Sequence, residues 1–265
     1  MTDTSPNMQP EDTCCADLYQ SPLVRYLLGE SLHPGGLALT RALGKELGLT
    51  KGQYLLDVAC GRGASAIMLA QTYKCRVAGI DTDARALEGA TKDARRYRLD
   101  SLVAFVEGDA THLPFPPAVF DAVLCECATS LFSNRQAALG EIARVLKPSG
   151  RLALSDVTFR PETLPLPLDS SIARALCIPL GTGPEQYVHL IQGAGLTIEG
   201  KADYSNTVEK LLDKAESLLG IGRRTALATK ANDQQLDQIA VALNCASELA
   251  RQGDLGYWTF VAGKP

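Results

Sequence analysis

A chain of 265 residues, of which 46% are hydrophobic and 21% charged, has the composition of a globular protein and not of a disordered or fibrous one. Its length is sufficient for one large core, which favours one α/β domain with added helices over two domains. The formal net charge of −4 offers no extended positive surface to nucleic acid or to an anionic membrane, so we expect neither as a partner.

Residues 1–13 are polar and acidic, and we predict that they form a disordered lead to a single folded domain over residues 14–265. They lack the basic region and apolar run of a secretory signal, which favours a cytoplasmic location. No stretch reaches the roughly 20 apolar residues that span a bilayer. The eight cysteines form no paired CxxC motifs, so we expect neither a disulfide framework nor a metal centre.

Two helices are predicted ahead of a sheet, over Leu18–Leu28 and Leu37–Leu47, separated by the His-Pro-Gly-Gly sequence at 33–36. After them, short apolar runs alternate with amphipathic segments, which is the pattern of a parallel sheet with crossover helices. The predicted strands are Tyr54–Val58, Arg76–Ile80, Leu102–Val106, Ala122–Cys125, Arg151–Ser155, Leu196–Gly200 and Gly256–Ala262. The predicted helices are Ala64–Tyr73, Ala84–Tyr97, Arg135–Leu146, Pro184–Gly193, Thr207–Leu219 and Gln234–Ala250. Pro148, Ser149 and Gly150 predict a turn before the fifth strand.

The first strand leads into a glycine turn, Asp57-Val58-Ala59-Cys60-Gly61-Arg62-Gly63. Glycine is needed where a ligand approaches the backbone of a strand-to-helix turn. Asp81 follows about 20 residues later at the end of the second strand, where a carboxylate accepts hydrogen bonds from ribose hydroxyls. Because Ala66 at the third glycine position is tolerated in dinucleotide-binding proteins, this spacing leaves a nicotinamide cofactor open.

The ordered segments DVACGRG, GID, GDATHLPF, FDAVLCE and EIARVLKPSGRLALSDV favour another cofactor. Over roughly residues 50–160 they resemble the class I, seven-strand methyltransferases that use S-adenosylmethionine (SAM). The resemblance implies a doubly wound, mostly parallel seven-stranded α/β sheet whose last strand is antiparallel. The N-terminal helices and the two C-terminal inserted helices are expected to form a lid.

The resemblance also implies which residues bind SAM. Gly61 and Gly63 are expected under the methionine and ribose, Asp81 at the ribose, and Asp109 with Ala110 beside the adenine. The full predicted cofactor set is Asp57, Ala59, Gly61, Gly63, Asp81, Thr82, Asp109, Ala110, Cys125 and Tyr19.

Several cysteines fall where the carboxyl ends of parallel strands bind ligands. Cys125 and Cys127 end the fourth strand and Cys177 follows the fifth. The pair Cys14-Cys15 and the sequence LSDV followed by Cys177 partly resemble arsenite methyltransferases, although Ala66 stands where that family carries a cysteine. A soft nucleophile, either trivalent arsenic or a thiol such as methanethiol or sulfide, is therefore the predicted acceptor. Alternatively, these cysteines pack as small apolar residues.

His33 and Glu30 lie in the glycine-rich break before the second helix, where a side chain is placed to deprotonate a nucleophile. The predicted catalytic set is His33, Glu30, Cys177, Cys125 and Cys127. Two alternatives remain open: O- or C-methylation of a small metabolite such as a quinone precursor, and a regulatory protein that binds SAM without turnover. The residues do not indicate an oligomeric state.

Overall fold

The computed structural model describes residues 33–165, 168, 177–222 and 233–265. The predicted lead, the predicted helix Leu18–Leu28, and the site candidates Tyr19 and Glu30 lie outside these residues. In the described part of the chain, no helix combines the length and the apolarity needed to cross a membrane.

Helices and strands alternate along most of the described chain. The strands are β1 (Tyr54–Val58), β2 (Arg76–Asp81), β3 (Val103–Glu107), β4 (Phe120–Glu126), β5 (Leu146–Phe159), β6 (Thr197–Asp203) and β7 (Leu255–Gly263). The helices are α1 (Gly36–Glu46), α2 (Ala64–Tyr73), α3 (Ala84–Arg96), α4 (Arg135–Val145), α5 (Pro184–Gly193), α6 (Ser205–Gly222) and α7 (Asp233–Gln252). A short 3₁₀ turn covers Thr129–Leu131.

The described strands form one seven-stranded sheet in the order β3-β2-β1-β4-β5-β7-β6, which confirms the predicted fold class. Strand β7 runs antiparallel to both β5 and β6, whereas β1 to β5 pair in parallel. Between β1 and β4 the strand order reverses, because β1 connects forward to β2 on one side and β4 lies on the other. Open α/β sheets bind ligands at the carboxyl ends of the strands on either side of this reversal.

Side chains at the helix starts fix several crossover connections. The Asp83 carboxylate accepts the backbone N–H groups of Arg85 and Ala86 at the start of α3. Asn134 accepts that of Ala137 at the start of α4. Helix α2 begins differently, because its N-cap residue Gly63 has no side chain and the Asp57 carboxylate instead accepts the Ala66 N–H. The start of α2 beside β1 is a favourable environment for polar ligand groups.

Two apolar layers cover the sheet. One contains side chains of α1, α2, α6 and α7, together with Cys177 and Tyr257. The other contains side chains of α4 and α5, together with Cys125. The inserted helices α6 and α7 thus pack on the same face as the N-terminal helix α1, where the predicted lid requires them.

Most boundaries agree with the sequence prediction to within two residues, but β5 does not. The prediction places Pro148, Ser149 and Gly150 in a turn before the strand, whereas the strand already starts at Leu146. Ser149 has a turn-like φ of 62°, and the pairing with β4 shifts register across these residues. The Ser149 N–H donates to the Lys264 carbonyl at 2.9 Å, and the Lys264 N–H donates to the Gly150 carbonyl at 2.9 Å. Pairing with the residue after β7 therefore includes this bulge in the strand. Strand β6 also extends to Asp203 instead of Gly200.

Candidate cofactor and acceptor site

The turn after β1 adopts a backbone conformation that leaves an open concavity. Ala59, Gly61 and Gly63 have φ values of 56°, 51° and 72°. A Cβ atom built on Gly61 would meet no atom within 4 Å, whereas one on Gly63 would collide with the Phe105 ring. The two glycines therefore have different roles, since Gly61 keeps the crevice open and Gly63 allows α2 to approach β3.

Asp81, at the end of β2, holds this turn in place. One carboxylate oxygen accepts the Gly61 N–H at 2.7 Å and the other accepts the Asp83 N–H at 2.9 Å. Each oxygen retains a second lone pair for a ligand hydroxyl. The predicted ribose-binding carboxylate thus lies against the predicted glycine turn.

Asp57 has a buried carboxylate, and one of its oxygens makes no hydrogen bond to the described residues. It is 3% exposed, and its Oδ2 atom has no partner among the described residues. Burial raises the pKa of Asp57 well above its ordinary value, and the nearby Glu126 and Asp81 carboxylates add to the rise. A cationic ligand group beside Oδ2 would relieve this cost. The unpaired Asp57 Oδ2 atom and the open glycine turn together fit SAM, whose amino acid portion carries an ammonium group.

The residues predicted beside the adenine lie at the next strand ends. Asp109 is exposed and accepts the backbone N–H and the hydroxyl of Thr111 at 2.7 and 2.9 Å. These two hydrogen bonds lower the pKa of Asp109. Ala110 is buried, and Thr82 is exposed directly after β2.

Four polar side chains meet beyond the glycine turn, at the end of β4. The Glu126 carboxylate accepts the Ser65 hydroxyl at 2.6 Å and the Thr40 hydroxyl at 3.0 Å. The His33 Nε2 atom lies 3.4 Å from Glu126 Oε2 and 3.2 Å from Thr40 Oγ1. The side chains of His33 and Glu126 are only 4% and 5% exposed. A buried carboxyl group in contact with an imidazole is suited to removing a proton from a nucleophile.

The turn before α1 brings His33 to this cluster. Gly35 has a φ of 85°, and a Cβ atom there would lie 2.8 Å from Cβ of Leu39. The Gly36 N–H donates to the His33 carbonyl at 3.2 Å and closes the turn. The His33 ring consequently reaches Thr40, seven residues further along the chain.

The three predicted site cysteines do not converge as one group. Cys127 and Cys177 do meet, since their side chains share a hydrogen bond and Cys177 Sγ lies 3.6 Å from the Cys127 carbonyl. That hydrogen bond, followed by burial, raises the pKa of the Cys127 thiol. Cys125 lies in the other apolar layer, 3.7 Å from the Thr129 hydroxyl, and burial raises its pKa. Among the described residues, no cluster of three or more His, Cys, Asp or Glu side chains is arranged to hold a metal ion.

Asp156 on β5 fixes the turn that follows Glu126. Its carboxylate accepts the Ser130 N–H at 3.0 Å and the Val157 N–H at 2.8 Å. Burial raises the pKa of Asp156 to about 6. Beside it, the Tyr257 hydroxyl contacts the Ser155 hydroxyl at 3.0 Å, and the Ser155 carbonyl accepts the Cys127 N–H at 2.7 Å.

Sequence reasoning missed Glu126, Thr40, Ser65 and Asp156 as site residues. A signal existed for Glu126, because a charged residue at the end of an apolar strand faces the ligand-binding edge of a parallel sheet. Thr40 and Ser65 gave no such signal, since each is a single hydroxyl in an otherwise ordinary helix.

Comparison with known proteins identifies the fold and the cofactor class. Residues 56–154 match the family model described as a methyltransferase domain. The chain is 31% identical over 258 residues to 27-O-demethylrifamycin SV methyltransferase of Amycolatopsis mediterranei, covering 92% of this chain and 93% of the relative.

Two solved structures share the architecture. The [4+2]-cyclase SpnF is 26% identical, with a TM-score of 0.76 and 94% of both chains covered. Phosphoethanolamine N-methyltransferase 2 of Haemonchus contortus, in complex with SAM, is 21% identical with a TM-score of 0.76, covering 94% of this chain and 60% of the other. The nicotinamide alternative is thereby set aside, and the cofactor is SAM.

Proposed function

The chain belongs to the SAM-dependent methyltransferase family, and on that premise we propose that it methylates a hydroxyl oxygen of a small organic metabolite. The observation that carries this proposal is the buried pair of His33 and Glu126. Their Nε2 and Oε2 atoms lie 3.4 Å apart at the carboxyl end of β4, beside the crevice. Among the acceptors predicted from the sequence, oxygen gains most from such a pair.

A hydroxyl is a weak nucleophile while it retains its proton. Bound SAM supplies a methyl group on a sulfonium, which is already an activated leaving group, so the protein must align the acceptor and remove its proton. A positioned general base contributes typically about 10²–10⁴ in rate. Alignment supplies up to about 7–11 kcal/mol of the barrier. A thiol, with a pKa of about 8.5, needs far less help from a base.

The surroundings of His33 suit this task. The His33 Nδ1 atom lies 3.1 Å from the Pro34 carbonyl oxygen, which only accepts hydrogen bonds. Nδ1 is therefore the nitrogen that carries a proton in the neutral ring, and Nε2 is left to accept another. Glu126, anchored by Ser65 at 2.6 Å, lies where it stabilises the resulting imidazolium. Burial of both side chains excludes water from the proton transfer.

The name of the rifamycin relative supports oxygen as the acceptor atom. It matches over nearly its whole length and is named for methylation of an O-demethylated rifamycin. Its acceptor class, a hydroxyl on an organic metabolite, is transferred here as part of the proposal. A cytoplasmic location and a single domain over residues 14–265 belong to the same proposal.

A second candidate acceptor, a thiol or trivalent arsenic, is favoured by one observation. Cys127 and Cys177 are in contact on the sheet face that also carries α1, and paired thiols bind soft centres. Against it, the raised pKa of Cys127 disfavours a thiolate. Cys177→Ser separates the candidates, because an arsenic enzyme should lose activity whereas an oxygen methyltransferase should keep it.

The test is incubation of the purified chain with methyl-labelled SAM and a panel of acceptors. The panel contains phenols, a hydroquinone, 27-O-demethylrifamycin SV, methanethiol, sulfide and arsenite. Labelled methyl ethers support the proposal. Labelled volatile sulfur or arsenic products support the second candidate, and labelled carbon-methyl products point to the C-methylation alternative. Tight SAM binding with no labelled product on any acceptor would indicate a protein that binds SAM without methyl transfer.

A further inference from the structure

Thr40 is fully buried at the centre of the cluster at the end of β4. Its Oγ1 atom lies 3.0 and 3.1 Å from the two Glu126 carboxylate oxygens and 3.2 Å from His33 Nε2. A threonine hydroxyl has one proton and two lone pairs. It therefore donates to only one of these neighbours at a time.

The proton on His33 decides which neighbour receives the Thr40 proton. Because Nδ1 donates to the Pro34 carbonyl, Nε2 is the atom that gains or loses a proton. When Nε2 carries no proton, it and Glu126 Oε2 are two acceptors 3.4 Å apart. A hydrogen bond donated by the Thr40 hydroxyl to Nε2 then reduces the repulsion between them. When Nε2 is protonated, it donates to Thr40 or Glu126, and Thr40 is free to donate to the carboxylate.

We propose that Thr40 is a positioning residue whose hydroxyl turns between His33 Nε2 and Glu126 as His33 gains and loses its proton. This inference rests on the proposed function, in which His33 accepts the proton of the acceptor hydroxyl. Before methyl transfer, Thr40 donates to the unprotonated Nε2, whose single lone pair becomes available to the acceptor proton once the Thr40 hydroxyl turns to Glu126. After proton uptake, the same hydroxyl donates to Glu126, so the carboxylate stays paired while it faces the imidazolium.

Helix α1 and the turn before it carry both partners of this hydrogen bond. Thr40 and His33 lie on opposite sides of the Gly35-Gly36 turn, so the two side chains belong to one short segment. Glu126 and Ser65 belong to β4 and α2, which flank the cofactor crevice. The Thr40 hydroxyl thus connects His33, in the turn before α1, to Glu126 at the end of β4 beside the cofactor crevice.

Nitrogen-15 spectra of histidine test the inference without any acceptor. The chain has three histidines, so the His33 signals are assigned by their loss in His33→Asn. In its neutral form, the wild-type His33 ring should show Nδ1 protonated and Nε2 as an acceptor. A tautomer with the proton on Nε2 would overturn the proposal, whether or not any variant folds.

Two variants at position 40 and one matched control complete the spectral test. Thr40→Val keeps the side-chain shape, removes the donor and should move the His33 Nε2 resonance, whereas Thr40→Ser should leave it as in wild type. Ser247→Ala removes a hydroxyl that donates to Glu216 at 2.6 Å, outside the cluster, and should leave that resonance unchanged. An unmoved resonance in Thr40→Val, or an equal shift in Ser247→Ala, would contradict the role of Thr40.

Kinetics on a methylated hydroxyl acceptor give a second readout. Thr40→Val should lower kcat by about tenfold or more, with both KM values changed little, because Nε2 loses its support in the proton-transfer step. Thr40→Ser should restore most of the rate, and equal losses in the two variants would refute the inference. If no hydroxyl acceptor is methylated, the proposed function fails, while the spectra still decide whether Thr40 sets the His33 proton.

Discussion

Asp81 accepts the backbone N–H of Gly61 at 2.7 Å, so the carboxylate predicted at the ribose also shapes the glycine turn twenty residues before it. The Cβ position of Gly61 points into open space, which makes this turn accessible to a ligand. The cofactor crevice therefore depends on both the backbone conformation and the absence of a side chain at this position.

Gly61→Ala should weaken SAM binding about tenfold or more, because its new methyl group enters the crevice while its φ of 51° strains an alanine. The strain should also lower the free energy of unfolding by about 1–2 kcal/mol. Gly195→Ala is the matched control, since Gly195 has a φ of 81°, an equally open Cβ position and a location before β6 at the opposite sheet edge. Calorimetry should find unchanged SAM affinity in the control, and equal affinity losses in both variants would contradict the assignment.

Asp57→Asn should separate cofactor binding from folding. Removing a buried charge with an unpaired Oδ2 relieves its desolvation cost, so thermal unfolding of the cofactor-free protein should shift little or upward. SAM affinity should nevertheless fall, because the neutral amide pairs poorly with a cationic group. Asp121→Asn is the contrasting control, since Asp121 binds Lys147 at 2.7 Å and the Tyr54 N–H at 2.8 Å. Asp121→Asn should lose stability and keep its SAM affinity. A loss of SAM affinity in Asp121→Asn but not in Asp57→Asn would contradict the role given to Asp57.

Asp156 should give stability a distinctive pH dependence. Burial raises its pKa from 3.8 to about 6, so between these values the folded protein binds more protons than the unfolded chain. Its contribution therefore makes the free energy of unfolding fall as pH rises through this window, by up to about 3 kcal/mol.

Asp156→Asn should remove that fall, as measured by urea unfolding at several pH values between 4 and 7. Asp109→Asn is a control of opposite sign, because hydrogen bonds from Thr111 lower the pKa of Asp109 and stabilise the folded state above its ordinary pKa. An unchanged pH dependence in Asp156→Asn would show that this carboxylate does not titrate as described.

The sheet was predictable because each strand combines an apolar run with a local turn or cap signal. Asp83 and Asn134 begin helices at their predicted positions for such local reasons. The start of β5 was not predictable, because Ser149 and Gly150 take their hydrogen bonds from Lys264 near the end of the chain. The turn-like bulge at Ser149 is therefore included in a strand by pairing over more than a hundred residues.

The cofactor half of the site follows one continuous motif, so Gly61 and Asp81 were within reach of sequence reasoning. The acceptor half was not, because Glu126 meets Ser65 across 61 residues and Thr40 across 86. Cys125 and Cys127 show a further limit. Residues two apart on a strand share a face, but Cys127 lies past the end of β4 with a φ of 53°, so the two cysteines lie in different apolar layers.

The central claim is that His33 accepts the proton of a hydroxyl acceptor. The most direct measurement compares methyl transfer by wild type and His33→Asn to an alcohol and to the thiol of the same carbon skeleton, with His189→Asn on the exposed face of α5 as control. If His33 is the base, His33→Asn should lose about 100-fold or more on the alcohol and much less on the thiol, and the control should lose nothing. Equal losses on both acceptors, or methylation of the thiol alone by wild type, would contradict it.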